Sequence, residues 1–239
     1  MTRFKVLFIS CMAAMGLFAV SAVGAQAATW HICEKVAAGT GTFNDSNCSV
    51  SGGTKEWKRV AFTGTETINS SGSNFELSVP ARGIVIKCTT QTSSNAKIFN
   101  STEDSGTINF SSCKLFDSEG HEATACTVAE PITTTVKTHL SGTSPIYDVF
   151  EPSTGTLFTN ITISGASCAA ITPGSYEVTG NIAGETETGE RVSQPLKFSE
   201  AISKAAGTAL KFGKAAAFLS GTSHLSLSGA HSGSAWGAS

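Results

Sequence analysis

Apolar and polar residues alternate with a period of two along most of this 239-residue chain. The segments FELSV (75–79), IVIKC (84–88) and LFTNITI (157–163) place their apolar side chains mainly at every second position. Such alternation is typical of half-buried strands, and clusters of Gly, Pro, Asn and Ser separate the runs as in antiparallel sheets. Only SEAISKAAG (199–207), with a Ser cap and a Gly stop, predicts a helix. We therefore predict an all-β fold, an antiparallel β-sandwich with Greek-key or Ig-like connections and disulfide staples.

Residues 1–27 have the features of a secretory signal peptide. Arg3 and Lys5 precede an apolar run that extends from Val6 to Val23, and Ala25-Gln26-Ala27 gives a small-x-small cleavage pattern. The alternative is a membrane anchor, because the run approaches the roughly 18 residues that spanning requires. The cleavage pattern favours removal. We expect a secreted mature chain that begins near Ala28, has no transmembrane segment of its own, and associates with the cell surface or envelope.

Composition divides the remaining chain into three parts. Residues 28–72 form a small Gly-, Ser- and Thr-rich region with two cysteines, and residues 73–184 carry the densest strand pattern, predicted as the central β-sandwich domain. Residues 185–239 lack cysteine and combine strand-like runs with a Gly/Ser tail. We expect this last part to pack on the central domain, because its apolar residues are costly to leave in water. The final residues around Trp236 are expected to fray.

The charge balance excludes one class of partner. The chain carries 16 Lys and Arg against 18 Asp and Glu, and removal of Arg3 and Lys5 with the leader leaves 14 against 18, a net charge of about −4. Binding to nucleic acid requires a basic stripe that neutralises phosphates. We therefore predict no nucleic-acid partner.

The number of cysteines predicts disulfide bonds. Of seven cysteines, Cys11 lies in the leader, and the other six are Cys33, Cys48, Cys88, Cys113, Cys126 and Cys168. An even set in an exported chain favours oxidation to disulfides, although six cysteines allow about fifteen pairings. Turn-forming residues between the members favour the local pairs Cys33–Cys48 and Cys113–Cys126, which leaves Cys88–Cys168. The main rival is Cys88–Cys113, because these two cysteines could lie on neighbouring strands.

The loop between Cys113 and Cys126 also contains His121, which raises two chemical alternatives. A zinc site needs about four ligands, and a second closely spaced ligand pair is missing here. A nucleophilic cysteine needs a free thiolate, which the even cysteine set disfavours. We therefore predict a staple, with no metal or cofactor.

Motifs for catalysis are also missing. The chain contains no Gly-x-Ser-x-Gly elbow, no His-Glu-x-x-His helix, no EF-hand loop and no dinucleotide fingerprint. We predict no catalytic residues and a structural or binding role, with a cell-wall glycan or another envelope protein as partner. We interpret Trp30 and Trp57 as core residues rather than a binding platform. The alternatives are a secreted hydrolase of polysaccharide or peptide, with residues dispersed over loops, and a redox role, which lacks a Cys-x-x-Cys motif.

Four of the cysteines belong to a recognisable series of segments. The segments are IKC (86–88), GTINFSSC (106–113), Cys126, PITTTVKTHL (131–140) and ISGASC (163–168). Their order is a strand with Cys, a G-x-[IV]-x-F-x-x-C segment, a third Cys, an Ile-x-Thr strand and a fourth Cys, and it resembles that of a group of exported actinobacterial proteins. The resemblance covers residues 73–184. It implies export, β-structure and a cysteine framework, and it implies no catalytic residues.

Overall fold

The computed structural model describes residues 28–239, so the predicted signal peptide and Cys11 lie outside the described residues. The described chain is almost entirely antiparallel β-structure, as predicted. In chain order the elements are β1 (Trp30–Lys35), β2 (Trp57–Ala61), β3 (Glu66–Val79), β4 (Ile84–Ile98), β5 (Glu103–Asp117), β6 (Thr127–Val128), β7 (Ile132–Ser141), β8 (Tyr147–Pro152), β9 (Leu157–Ser164), β10 (Gly174–Gly180), β11 (Ile182–Thr186), β12 (Gln194–Phe198), α1 (Glu200–Ala205), β13 (Leu210–Phe212), β14 (Ala215–Ser228) and β15 (Trp236–Ala238). Short 3-10 helices follow β3 at Pro80–Arg82 and β14 at Gly229–His231.

Eight of these strands form a closed barrel. Their order is β12-β11-β8-β7-β5-β4-β3-β14, and β14 pairs with β12 to complete the ring. Every pairing in the ring is antiparallel. Closure removes the unpaired edges that an open sheet would present. The all-β prediction is thus confirmed, whereas the structure has a closed barrel with extra strands where a two-sheet sandwich was predicted.

Strand β14 closes the ring by pairing with β12, and it also belongs to a second sheet. Its residues 221–225 pair with β12, whereas its residues 215–217 pair with β13. A register shift between Ser220 and Thr222 lies at this division, and Gly221 there has a φ of +143°. A bulge of this kind bends a strand and increases its twist. One strand can therefore belong to the barrel and also lead into a second sheet of β13, β10, β9 and β6.

Strands β15, β1 and β2 form a separate three-stranded sheet that joins the two ends of the described chain. The rings of Trp30 and Trp236 lie 5.1 Å apart, and both side chains are fully buried. The expected fraying of the C-terminal tail is wrong, because β15 hydrogen-bonds to β1 and buries Trp236. Trp30 is a core residue, as predicted, and Trp57 is partly buried.

The predicted boundary between residues 72 and 73 falls inside the continuous strand β3. Residues 185–239 contribute β12 and β14 to the barrel, so they complete the ring rather than cover a finished domain. The predicted helix at 199–207 is present as α1, and the side chain of Ser199 accepts a hydrogen bond of 3.1 Å from the backbone N–H of Ile202. The three sequence segments therefore share one hydrophobic core.

Three disulfides connect the six cysteines of the described residues. Cys33–Cys48 is present, as predicted, and encloses a turn-rich segment beside β1. Three disulfides indicate folding in an oxidising environment. Within residues 28–239, no helix is long and apolar enough to cross a membrane.

The other two predicted pairings are wrong. The disulfides are Cys88–Cys113 and Cys126–Cys168, not Cys113–Cys126 and Cys88–Cys168. The register of the β4–β5 hairpin places Cys88 directly opposite Cys113, with Cα atoms 4.0 Å apart. Cys126 immediately precedes β6, which pairs with the end of β9, and Cys168 lies in the loop that follows β9. Strand pairing across the sheet thus decides the connectivity.

Candidate functional site

The barrel strands line a cavity of about 130 Å³ with an almost entirely apolar wall. Inward-facing residues of the barrel strands form most of this wall, and Phe158, Ile161 and Val178 of β9 and β10 contribute to one side. An eight-stranded barrel has an interior just wide enough to be filled by side chains or to hold one small ligand. An apolar cavity of about 150 Å³ in another protein binds benzene. The cavity in this barrel could therefore hold a molecule of about the size of benzene.

Phenylalanines form a continuous aromatic part of the wall. The ring centroids of Phe75 and Phe110 are 5.3 Å apart, and those of Phe75 and Phe198 are 5.9 Å apart. Phe150 continues the series, 5.6 Å from Phe198. The rings are tilted or edge-on to one another, the arrangement that aromatic quadrupoles favour. A ligand in the cavity would therefore meet both ring edges and ring faces.

Two glycines allow Phe75 to lie against the barrel backbone. A Cβ atom at Gly221 would come within 2.7 Å of Cδ1 of Phe75, and one at Gly72 within 2.7 Å of its Cε2. Gly221 also has a positive φ of +143°, which residues with a side chain rarely adopt. These glycines position the first ring of the aromatic wall.

A buried amide is the first polar group in the wall. Gln91 is almost fully buried, and its Oε1 accepts a hydrogen bond of 2.8 Å from the Ser223 hydroxyl. Its Nε2 donates a hydrogen bond of 2.9 Å to the hydroxyl of Ser70. Both ends of the amide thus have partners within the protein, as buried polar groups require. This network joins β3, β4 and β14 and offers little unused hydrogen-bonding capacity.

A pair of buried carboxyl groups is the second polar feature. Asp104 of β5 and Asp148 of β8 both line the cavity, and Thr138 of the intervening strand β7 is buried beside them. The Thr138 hydroxyl donates a hydrogen bond to Asp104. Because a hydroxyl has only one proton to donate, Asp148 is left without it. Both carboxylate oxygens of Asp148 lack a hydrogen-bond partner, and this residue is only 1% exposed.

The electrostatics of this acid pair follow from burial. Burial raises the pKa of Asp104 to about 6, although the hydrogen bond from Thr138 opposes the change. Burial also raises the pKa of Asp148 well above its ordinary value, the charge of Asp104 raises it further, and the nearby Thr138 hydroxyl opposes the change. No Lys, Arg or His is among the residues that line the cavity. The wall therefore supplies negative charge or a shared proton, but no cation to neutralise the pair.

The residues that the sequence singled out do not come together at this cavity. His121 lies exposed in the loop after β5, where its Nδ1 is 3.4 Å from Asp117 and 3.6 Å from Glu119. Cys113 and Cys126 are bonded to different cysteines, so neither is a free thiol in this structure. The predicted staple between them is absent, and the loop instead connects two separate disulfides.

Asp104 and Asp148 were not among the predicted site residues, although the sequence contains a signal for both. Asp104 is in phase with Ile108 and Phe110 on its strand, and Asp148 is in phase with Phe150. An acidic residue on the apolar phase of a strand is directed towards the core. Such a residue is almost never fully buried without a partner, which makes its position informative.

Among the described residues no metal-binding cluster was found, and comparisons with known proteins gave no match. Across residues 28–239, no three His, Cys, Asp or Glu side chains converge as metal ligands would. No protein-family model, curated protein or solved structure matches the chain. The cavity and its acid pair are therefore the features from which a function can be argued.

Proposed function

We propose that this chain is a secreted binding protein whose barrel holds one small, mainly apolar molecule. The observation that carries the proposal is the apolar cavity of about 130 Å³ with a buried carboxylate that has no partner inside the protein. Protein interiors are normally close-packed, and a buried polar group without a hydrogen-bond partner is costly. A bound molecule would remove both costs by filling the space and contacting the carboxylate.

Export is part of the same proposal. The leader pattern of residues 1–27 predicts secretion. The three disulfides support folding in an oxidising compartment, where thiols do not stay reduced. A small-molecule binding protein outside the cytosol is consistent with both features.

The alternative of a polysaccharide or peptide hydrolase is less favoured by the geometry. Such an enzyme needs its acid and base groups beside a groove that admits a polymer chain. The two carboxyl groups with raised pKa values, Asp104 and Asp148, instead line a cavity of about benzene size. Binding of a small molecule uses this geometry directly.

Toluene is a suitable first probe for the cavity. Thermal unfolding of the disulfide-intact chain beginning at Ala28 should shift upwards in the presence of toluene, because a ligand that binds only the folded state stabilises it. At a ligand concentration of 100 times Kd, the expected gain is about 2.7 kcal/mol. Absence of a shift with toluene and with other benzene-sized apolar probes would contradict the proposal.

A matched pair of variants locates the binding. Val136 is buried and lines the cavity, whereas its neighbour Thr135 is exposed on the same strand. Val136→Phe places a ring in the cavity and should abolish the toluene-dependent shift. Thr135→Phe adds the same ring outside the barrel and should leave the shift unchanged. An equal toluene shift in the two variants would place the binding elsewhere.

A further inference from the structure

We propose that the molecule bound in the barrel carries a protonated amine beside its apolar body, and that the carboxylate of Asp148 receives this amine. This inference rests on the proposed function, because it names the ligand class of the same cavity. It is carried by the juxtaposition of an unpartnered, fully buried carboxylate with an aromatic wall and no basic side chain.

Asp148 has neither a hydrogen-bond donor nor an ion-pair partner within the described residues. Its two carboxylate oxygens have no donor, and within residues 28–239 neither Asp148 nor Asp104 forms an ion pair. Buried carboxyl groups in proteins are normally paired or hydrogen-bonded, and an amine that takes up the proton of Asp148 would form an ion pair with it. A protonated amine supplies both a positive charge and up to three N–H donors, as a lysine ammonium does. A protonated amine therefore provides the positive charge and the hydrogen-bond donors that Asp148 lacks inside the protein.

The cavity that contains the Asp148 carboxylate is also lined by phenylalanine rings. Phe150 lies two residues further along β8 and is also buried against the cavity, and its ring is 5.6 Å from that of Phe198. Aromatic faces attract cations within about 6 Å of the ring centre. The same cavity thus contains aromatic rings as well as the carboxylate, and both kinds of group attract a cation.

The cavity wall disfavours ligands with a negatively charged group. A carboxylate or phosphate group would enter a cavity whose only ionisable residues are acidic, so like charges would meet in an apolar setting. The amide of Gln91 is already satisfied by Ser70 and Ser223. The polar recognition is therefore concentrated at the acid pair, and the rest of the ligand should be apolar.

Four probes with one ring and different substituents test this inference. Isothermal titration calorimetry at pH 7 would compare benzylamine, toluene, benzyl alcohol and benzoate on the disulfide-intact chain beginning at Ala28. We expect benzylamine to bind at least about tenfold more tightly than toluene or benzyl alcohol, as one hydrogen bond between charged groups predicts. Benzoate should bind more weakly than all three.

Two substitutions assign the preference to a residue. Asp148→Asn should bring the affinity for benzylamine to within about threefold of that for benzyl alcohol, because it removes the charge and little volume. The control is Glu177→Gln, which removes an exposed carboxylate from β10 and should preserve the wild-type order. If circular dichroism shows that Asp148→Asn is unfolded, Asp148→Leu replaces it, since apolar residues of similar volume often substitute for buried charges.

The outcomes separate this inference from the proposed function. Toluene binding without a preference for benzylamine overturns the amine inference and leaves the binding function in place. A preference for benzylamine that persists in both Asp148 variants overturns the role of this carboxylate. Failure of all four probes to bind overturns the proposed function itself.

Discussion

Raising the pH should destabilise the barrel, because the acid pair must ionise inside it. The pKa of Asp104 rises from 3.8 to about 6 on folding, and that of Asp148 rises well above 3.8. Between the unfolded and folded values, the native state keeps protons that the unfolded chain has released. The stabilisation is therefore complete below about pH 4 and is lost as the pH rises through 6, with Asp148 extending the loss to higher pH.

The magnitude follows from the displacement of the Asp104 pKa. One pKa unit corresponds to about 1.4 kcal/mol, so a rise from 3.8 to about 6 corresponds to about 3 kcal/mol of unfolding free energy between pH 4 and 7. Asp148 adds to the change in the same direction. Domains are stable by about 5–15 kcal/mol in total, so the effect is a substantial fraction of the stability.

Urea unfolding of the disulfide-intact chain at several pH values between 4 and 8 measures this effect. His31 complicates the wild-type curve, because burial lowers its pKa below 6.5 and its contribution to stability rises with pH in this range. The double variant Asp104→Asn/Asp148→Asn retains His31, so the difference between the two curves isolates the acid pair. Glu177→Gln, which changes an exposed carboxyl group, should follow the wild-type curve.

If the curves of the wild type and the double variant run parallel from pH 4 to 8, folding does not raise the pKa values of the two carboxyl groups, and they do not lie in an apolar interior. If the wild type loses about 3 kcal/mol or more relative to the double variant, Asp104 and Asp148 are buried as the structure has them.

Two further substitutions test an ion pair between the three-stranded sheet and the loop before β12, and a bend in a barrel strand. Glu190→Gln should lower the free energy of unfolding by about 3 kcal/mol, because it leaves Arg59 without the buried carboxylate that it contacts at 2.8 Å; urea unfolding checks this, and a loss equal to that of Glu177→Gln would contradict it. Gly221→Ala should cost about 1–3 kcal/mol, because the new Cβ would have a φ of +143° and approach Phe75 to 2.7 Å. An unchanged thermal midpoint for Gly221→Ala would show that β14 does not need this bend.

Many of the strands could be predicted from the sequence because burial has a period of two along them. In β7, the buried Ile132, Thr134, Val136, Thr138 and Leu140 alternate with exposed residues without interruption. The same periodicity could not predict closure. A strand in a sandwich and a strand in a barrel both present one face to the core, so the pattern is the same in the two folds.

The disulfide pairs, like the strands, could be predicted only where they depend on local sequence. The local pair Cys33–Cys48 followed from the turn residues between its members, which keep the two close in space. The remaining pairs depended on strand register, which places Cys88 opposite Cys113 and brings β6 beside β9. Register is set by contacts between distant segments, so spacing along the chain could not distinguish the alternatives.

The all-β class, the local staple of the N-terminal region and the short capped helix could be predicted from residue patterns within short segments. These predictions need no contact between distant parts of the chain. The closed ring, the burial of Trp236 and the proximity of Asp104 to Asp148 across β7 belong to the tertiary structure. Those features require residues from distant segments to share one interior, and only packing around the closed ring brings them together.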